Sequence, residues 1–326
     1  MNNKVMLRAC LLALTCAYSA VSAAATTAPA AATAASSTGD WGKDLQAWRD
    51  ARATKLSAPE GWMSLTGLEP IAQGRNPFGG ADDNPIHLKG QVPAHLGVLE
   101  RDGSTVKLLP PPGGFPAELQ VDGKPAQAQT LHADDEPQPT RLTAGTLVFF
   151  VIHRGDRYIL RVKDAQAPTR TGFQHLNWYA PDQAFRVQAK WTPYVPQKII
   201  SIPSIIGTED KSPVPGVAEF TLGGQSYKLE PIIEEPGDTV LFYILRDSTS
   251  PKTSYGAGRF LYSELPDHGL DQPGTVTLDF NRLQNPPCAY TPYATCPLPP
   301  RQNWLKVALP VGEKKYHEGA EGVAER

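Results

Sequence analysis

From Gly61 onward the chain reads as short runs in which apolar and polar residues alternate, broken every few residues by glycine or proline. Alternation at period two marks half-buried strands, and the punctuation marks the turns between them. The clearest run is "GTLVFFVIHRGDRYILRVKD", where two stretches rich in Val, Ile, Phe, Tyr and Leu flank the turn Arg154-Gly155-Asp156-Arg157 and predict a hairpin. "WMSLTGLEPI", "PIHL", "LGVLERDGSTVKLL" and "ELQVDGKPAQ" predict further strands before Asp164. One segment breaks the pattern. In "DWGKDLQAWRDARATKL", Trp41, Leu45, Trp48 and Leu56 fall near one helical face, with Asp40 as an N-cap. This predicts one sizeable helix, packed on the first sheet with its tryptophans as core anchors.

A second strand-rich segment begins near Gln174, after a shift in composition between Pro168 and Gln174. Strands are expected in "AFRVQAKW", "KIISIPSI", "GVAEFTL", "QSYKLEPII", "DTVLFYILRD", "GRFLYSEL", "GTVTLDFN" and "NWLKVALPV". Such close spacing favours sandwiches or partly closed barrels over a parallel α/β sheet. The expectation is an all-β protein in two parts. Residues 40–167 carry the helix and a β-sandwich-like domain, and residues 168–326 form a second β-sandwich or partly closed β-barrel. No internal repeat is visible.

Composition extends this picture at the N-terminus. "MNNKVMLRACLLALTCAYSAVSAAA" has basic Lys4 and Arg8, an apolar stretch from Ala9 to about Ala17, and the small-residue end Val21-Ser22-Ala23. It reads as a secretory signal, residues 1–23, too short in its apolar run to span a bilayer. Cys10 and Cys16 would leave with it. An Ala/Thr/Ser tract, residues 24–39, follows as a disordered spacer. A periplasmic or secreted protein is expected, without stable membrane insertion after cleavage. The net charge of −2 gives no electrostatic footprint for nucleic acid; oligomeric state is left open.

Familiar catalytic motifs are missing. There is no Gly-x-Ser-x-Gly elbow, no His-Glu-x-x-His, no phosphate-cradling loop and no dinucleotide fingerprint; "YGAGRFL" only echoes one. His87, His95, His132, His153, His175, His268 and His317 are scattered without metal-face spacing, so no metal and no cofactor is expected. Arg154-Gly155-Asp156 reads as a hairpin turn rather than an adhesion ligand.

Chemistry concentrates in the C-terminal half. Alternation in "GTVTLDFN" places Val276, Leu278 and Phe280 on one face and Thr277, Asp279 and Asn281 on the other, with Asp279 and Asn281 about 7 Å apart. That polar face is either solvated or one wall of a pocket. "LRDSTSPKTSYGAGRF" supplies Arg259 and two glycines, Gly256 and Gly258, which suit a close approach to a ligand or a tight turn. Cys288 and Cys296 close a short proline-rich loop. A disulfide is favoured in an oxidising compartment; a thiolate nucleophile served by His175 or His268, or a metal clip, stay open.

The motifs "SAPEGWMSLTGLEPIAQGRNPFG", "RGDRYILRVKD", "TSYGAGRFL" and "DFNRLQNPPCAYTPYATCPLPPRQNWLKVALPVGEKKY" together resemble the domain-of-unknown-function family 1684 of bacterial proteins. The resemblance covers nearly the whole chain after the spacer. It singles out Tyr255, Gly256, Arg259, Asp279, Asn281, Asn285, Pro287, Cys288, Cys296, Pro297, Pro300, Asn303, Gly312 and Glu313. The sequence departs from the family where Leu283-Gln284 follows Arg282 in place of an alanine-tyrosine pair. Retention of both cysteines in members without export signals fits poorly with a purely structural disulfide and strengthens the thiol and metal readings beside it, with the disulfide still favoured. "GRNPFGGADDNPIHL", "VPAHLGVL" and "VDGKP" also look distantly like a forkhead-associated sandwich. Gly79-Gly80 and Gln91 or Val92 stand where its phosphothreonine readers carry arginine and serine, so the resemblance implies a scaffold use.

These readings converge on a C-terminal pocket for a small polar or anionic molecule, bound and in one version hydrolysed. Asp279, Glu313 and Cys288 are the candidate catalytic groups. Tyr255, Arg259, Asn281, Asn285 and Asn303 are the candidate ligand-binding groups, with Arg259 steadying an anion and Asn281 orienting the ligand. The rival expectation is a non-catalytic binding or assembly module of the cell envelope, in which Cys288 and Cys296 close a rigid recognition loop.

Overall fold

A computed structural model describes residues 38–316; the expected signal segment and residues 24–37 of the spacer lie outside the described residues. The first half contains β1 (Leu65–Pro70), β2 (Gly74–Gly79), β3 (Ile86–His87), β4 (Gly97–Asp102), β5 (Thr105–Leu109), β6 (Gln120–Val121), β7 (Lys124–Pro125), β8 (Gln129–Leu131), β9 (Leu142–Ala144), β10 (Leu147–Arg154) and β11 (Arg157–Asp164). They form two sheets, in the orders β1-β11-β10-β9-β6-β7 and β3-β2-β4-β5-β8. One apolar core joins the two sheets, with Phe78 of β2 meeting Phe149 of β10 edge-on at 5.8 Å. Alternate inward residues of facing sheets build such a sandwich.

The expected hairpin is β10–β11, paired from Leu147↔Asp164 to Arg154↔Arg157. Gly155 turns the chain at φ +63°, a conformation that favours glycine. The Arg154 guanidinium donates to both carboxylate oxygens of Asp134, at 2.9 and 2.7 Å. The arginine of the Arg-Gly-Asp triplet is therefore spent inside the domain.

The second half contains α2 (Pro168–Thr171), β12 (Arg186–Pro203), β13 (Glu209–Leu222), β14 (Gln225–Leu229), β15 (Val240–Leu245), β16 (Arg259–Glu264) and β17 (Gly274–Asp279). A four-stranded sheet, β14-β13-β12-β17, and the β15-β16 ribbon share a core of Trp191, Phe220, Tyr243, Leu261, Leu278 and Phe280. Burying each such side chain contributes about 1.5–3 kcal/mol. "AFRVQAKW" and "KIISIPSI", expected as separate strands, fuse into β12. Its pairing with β13 skips between Pro193 and Lys198, where the prolines lack ladder donors. "NWLKVALPV" is not a strand. It follows a 3-10 turn at Arg301–Asn303 and crosses the domain as irregular chain, held by backbone bonds such as Leu305 N–H to the Arg246 carbonyl.

The helix α1 (Thr38–Leu56) begins before Asp40, which sits in its first turn rather than capping it. Its expected seat on the first sheet is also corrected, because α1 docks on the C-terminal half. Trp48 packs edge-on against Trp178 at 5.6 Å, and Leu56 joins Met63, Leu176 and Tyr290 in a small apolar cluster. Arg49 donates to the Tyr179 carbonyl, and Arg52 to the Asn285 carbonyl and to Glu313. The inward stripe is thus Trp41, Leu45, Trp48/Arg49, Arg52 and Leu56 at helical spacing. Its two guanidinium groups find their acceptors only in the second half.

Candidate binding groove

Strand β17 keeps its alternation as far as Asp279. Val276 and Leu278 enter the core, while Thr275, Thr277 and Asp279 line a groove of about 660 Å³. Trp41, Asp44 and Trp48 of α1 also line it, together with Arg186, Gln188, Tyr262, Glu264 and Arg282. This volume falls within the range of small-molecule sites.

At Asp279 the chain turns into a 3-10 helix, Phe280–Arg282, so Asn281 does not continue the polar face. The expectation that Asn281 touches a ligand is corrected. It is wholly buried, donates from Nδ2 to Asp279 Oδ1 at 3.0 Å and to the Asp182 carbonyl at 2.8 Å, and accepts from Asp182 N–H. Its role is to aim the carboxylate. Asp279 Oδ1 also accepts from Asn281 N–H at 3.1 Å, and Oδ2 accepts from the Trp41 indole at 2.8 Å. The Nε atoms of Arg282 and Arg186 lie 3.7 and 4.0 Å from Oδ2. Asp279, itself only 8% exposed, is therefore a preoriented acceptor that borders the groove, held by groups from three separate segments.

The other expected site residues lie elsewhere. Arg259 is 0% exposed and does not steady a ligand. It donates to Asp247 Oδ2 at 2.7 Å and to the carbonyls of Leu309, Val311 and Glu313, which fastens the irregular C-terminal segment. Gly258, at φ +102°, gives room for backbone rather than ligand, since a Cβ there would meet the Leu245 carbonyl oxygen at 2.5 Å. Asn303 is buried, accepts from Glu230 N–H and donates to the carbonyls of Glu230 and Ile244. Asn285 is buried and donates to the Lys314 carbonyl. The Tyr255 hydroxyl donates to the Cys288 carbonyl at 3.0 Å. All four carry local structure, so their expected ligand-binding roles are corrected as well.

Glu313 is equally enclosed. Its carboxylate pairs with Arg52 and accepts from the Tyr290 hydroxyl at 2.5 Å and from Asn285 N–H at 2.7 Å. Burial, with Glu313 beside it, pushes the Tyr290 phenol well above its ordinary range. A carboxylate with these partners and no exposure is a clasp for α1, not a general base.

Cys288 and Cys296 are buried thiols in contact, with Cys288 N–H donating to Cys296 Sγ at 3.1 Å. They sit in an apolar cluster with Leu65, Ile200, Val214, Phe242 and Phe260. Hydrogen bonding from Cys296, opposed by burial, lowers the Cys288 thiol below its ordinary value; burial pushes that of Cys296 far up. The neighbours that act on Cys288 are Cys296 and Tyr255. His268, one of the two expected bases, instead faces the Pro273 carbonyl from an exposed loop. A nucleophilic role for Cys288 thus lacks the imidazole expected from His268. The loop is no exposed recognition surface either, since Tyr290, Thr291 and Ala294 are buried.

Of the expected site residues, Asp279 alone borders the groove. Gln188, Tyr262 and Arg186 carry no expected role in the sequence, and Trp41 and Trp48, expected as core anchors, line the groove instead. Their alternation along β12 and β16 and the α1 stripe were visible, but which faces meet was not.

The molecule is thus an all-β protein whose second half, capped by a helix from the chain start, carries a groove. Residues 171–314 match the model of the family described as "Protein of unknown function (DUF1684)", and through this segment the chain belongs to that family. It is also similar to the solution NMR structure of an uncharacterized protein of Haloarcula marismortui, at 32% identity over 44% of this chain and 78% of that one, with a TM-score of 0.38. No curated protein matches the chain.

Proposed function

We propose that the groove between α1 and β17 binds a small polar molecule, with Asp279 as its central hydrogen-bond acceptor, in a protein exported to the periplasm or beyond. The observation that carries this is the convergence of Asn281, Trp41, Arg186 and Arg282 on one carboxylate at the surface of a groove. A convergent polar group in a sizeable concavity is the usual mark of a binding site. The leader 1–23 supports the export reading. Binding is better supported than hydrolysis, because Glu313 and Cys288 do not line the groove, and the oxygens of Asp279 are already engaged by Asn281 and Trp41.

The test is a thermal-shift screen against polar metabolites with the wild type, Asp279→Asn and Gln188→Ala. A ligand of the groove raises the melting temperature of the wild type and shifts both variants less. Equal shifts in all three proteins, or none in any, would sink the proposal.

A further inference from the structure

Resting on the groove as a binding site, we infer that its ligand is an oligosaccharide free of acidic groups. Charge gives the first reason. The lining holds the carboxylates Asp44, Glu264, Asp267 and Asp279 against only two guanidinium groups, and both of those lie nearest Asp279. An anionic guest would meet a net surplus of negative charge, four carboxylates against two guanidinium groups that both face Asp279, which weighs against the anionic half of the sequence expectation.

Hydrogen-bonding capacity gives the second. Gln188 and Thr277 exchange hydrogen bonds at 2.9 and 3.2 Å across β12 and β17, at the groove surface. Amides and hydroxyls both donate and accept, as a ligand dense in hydroxyl groups requires, and carboxylates accept from the rest.

The aromatic wall gives the third. The Tyr262 ring stacks on Phe242 at 4.7 Å with an interplanar angle of 9°, yet is 37% exposed and lines the groove. A ring stacked on a neighbour, partly exposed and with its hydroxyl held by Glu234, is a rigid aromatic platform in the groove lining. The C–H face of a pyranose matches this platform, and its hydroxyl rim matches the surrounding amides and carboxylates. At about 660 Å³ the groove has room for more than one sugar ring.

Trp41 and Trp48 line the groove, so tryptophan emission reads occupancy directly. The full chain is titrated with neutral gluco-oligosaccharides, amino-sugar oligosaccharides and oligogalacturonates. The neutral or amino series is expected to saturate an emission change, and the acidic series to bind at least about tenfold more weakly. Tyr262→Ala is expected to weaken binding at least about tenfold, and Tyr262→Phe to recover most of that loss, each with the unliganded melting temperature as a folding control. Equal binding of the acidic series would overturn the charge argument and the inference with it. If no saccharide binds while a hit from the metabolite screen still perturbs the tryptophans, the saccharide class is wrong and the groove stands; if nothing binds, both fall.

Discussion

At the scale of single residues, the distinction that matters is between polar groups spent on the fold and polar groups left for a guest. Glu313 belongs to the first kind. Replacing Glu313 with Gln leaves the half-buried Arg52 guanidinium without its counter-charge, a change that typically costs about 3–5 kcal/mol. Urea unfolding of Glu313→Gln should show that loss, while Asp279→Ala should disturb stability less and ligand response more. The reverse ranking would return Glu313 to the list of functional residues. Arg259, Asn281, Asn285 and Asn303 depart from their expected ligand-binding roles for a common reason. Residue type and local spacing report hydrogen-bonding capacity but not depth. These side chains satisfy carbonyls of chain segments that become neighbours only in the folded molecule. Asp279 was legible because its strand alternates cleanly up to it, and Val276 and Leu278 on the other face define the inside.

At the scale of elements, β-hairpins and strand faces were readable, and long-range seating was not. The β10–β11 hairpin follows from two apolar runs about a glycine turn. The fusion of two expected strands into β12 depends on β13 bridging the irregularity at Pro193. That bend places Tyr194 and Lys198 over Glu230, which accepts from them at 2.7 and 2.8–2.9 Å and from Gln302 at 3.0 Å. Burial opposes the charge on Glu230, but the hydrogen bonds from Lys198, Tyr194 and Gln302 outweigh it, and its carboxyl is held below the ordinary value of 4.5. A depressed carboxyl stabilises the fold above its ordinary value and loses that contribution as pH falls through the folded one. Melting temperature should therefore fall on acidification below about pH 4.5, and Glu230→Gln should flatten that limb; an unchanged acid limb would remove Glu230 from the account. The cysteine loop gives a second prediction at this scale. With an added disulfide oxidant, Cys288 and Cys296 should lose two protons and two electrons to it, forming one S–S bond as the oxidant becomes two thiols. Intact mass should drop by two hydrogens, and the closed ring of nine residues should add about 2.6 kcal/mol. Retention of two alkylatable thiols under those conditions would refute the pairing.

At the scale of the whole molecule, the order of elements along the chain differs from their order in space. The helix α1 precedes the first sandwich but packs on the second half, supplying Trp41 to Asp279, Arg52 to Glu313 and Leu56 to the cluster around Tyr290. The first sandwich thereby lies in the sequence between α1 and the strands on which α1 packs. It also contacts the second half directly. Arg161 donates to Thr295 at 2.9 Å, Arg157 to the Ile206 carbonyl at 2.8 Å, and Leu65 enters the cluster around the cysteines. A fragment beginning at Pro168 keeps β12 to β17 and loses the α1 lining of the groove and the counter-charge of Glu313. It should expose the apolar surface of Leu176 and Tyr290, bind a hydrophobic dye, and melt over a broad range. Joining residues 38–60 to Pro168 through a flexible linker should restore a cooperative transition and the tryptophan response to ligand, because the missing contacts are local to α1. A fragment from Pro168 that melts as sharply and at the same temperature as the full chain would show the helix to be an accessory. The groove would then have to be built from β12, β16 and β17 alone.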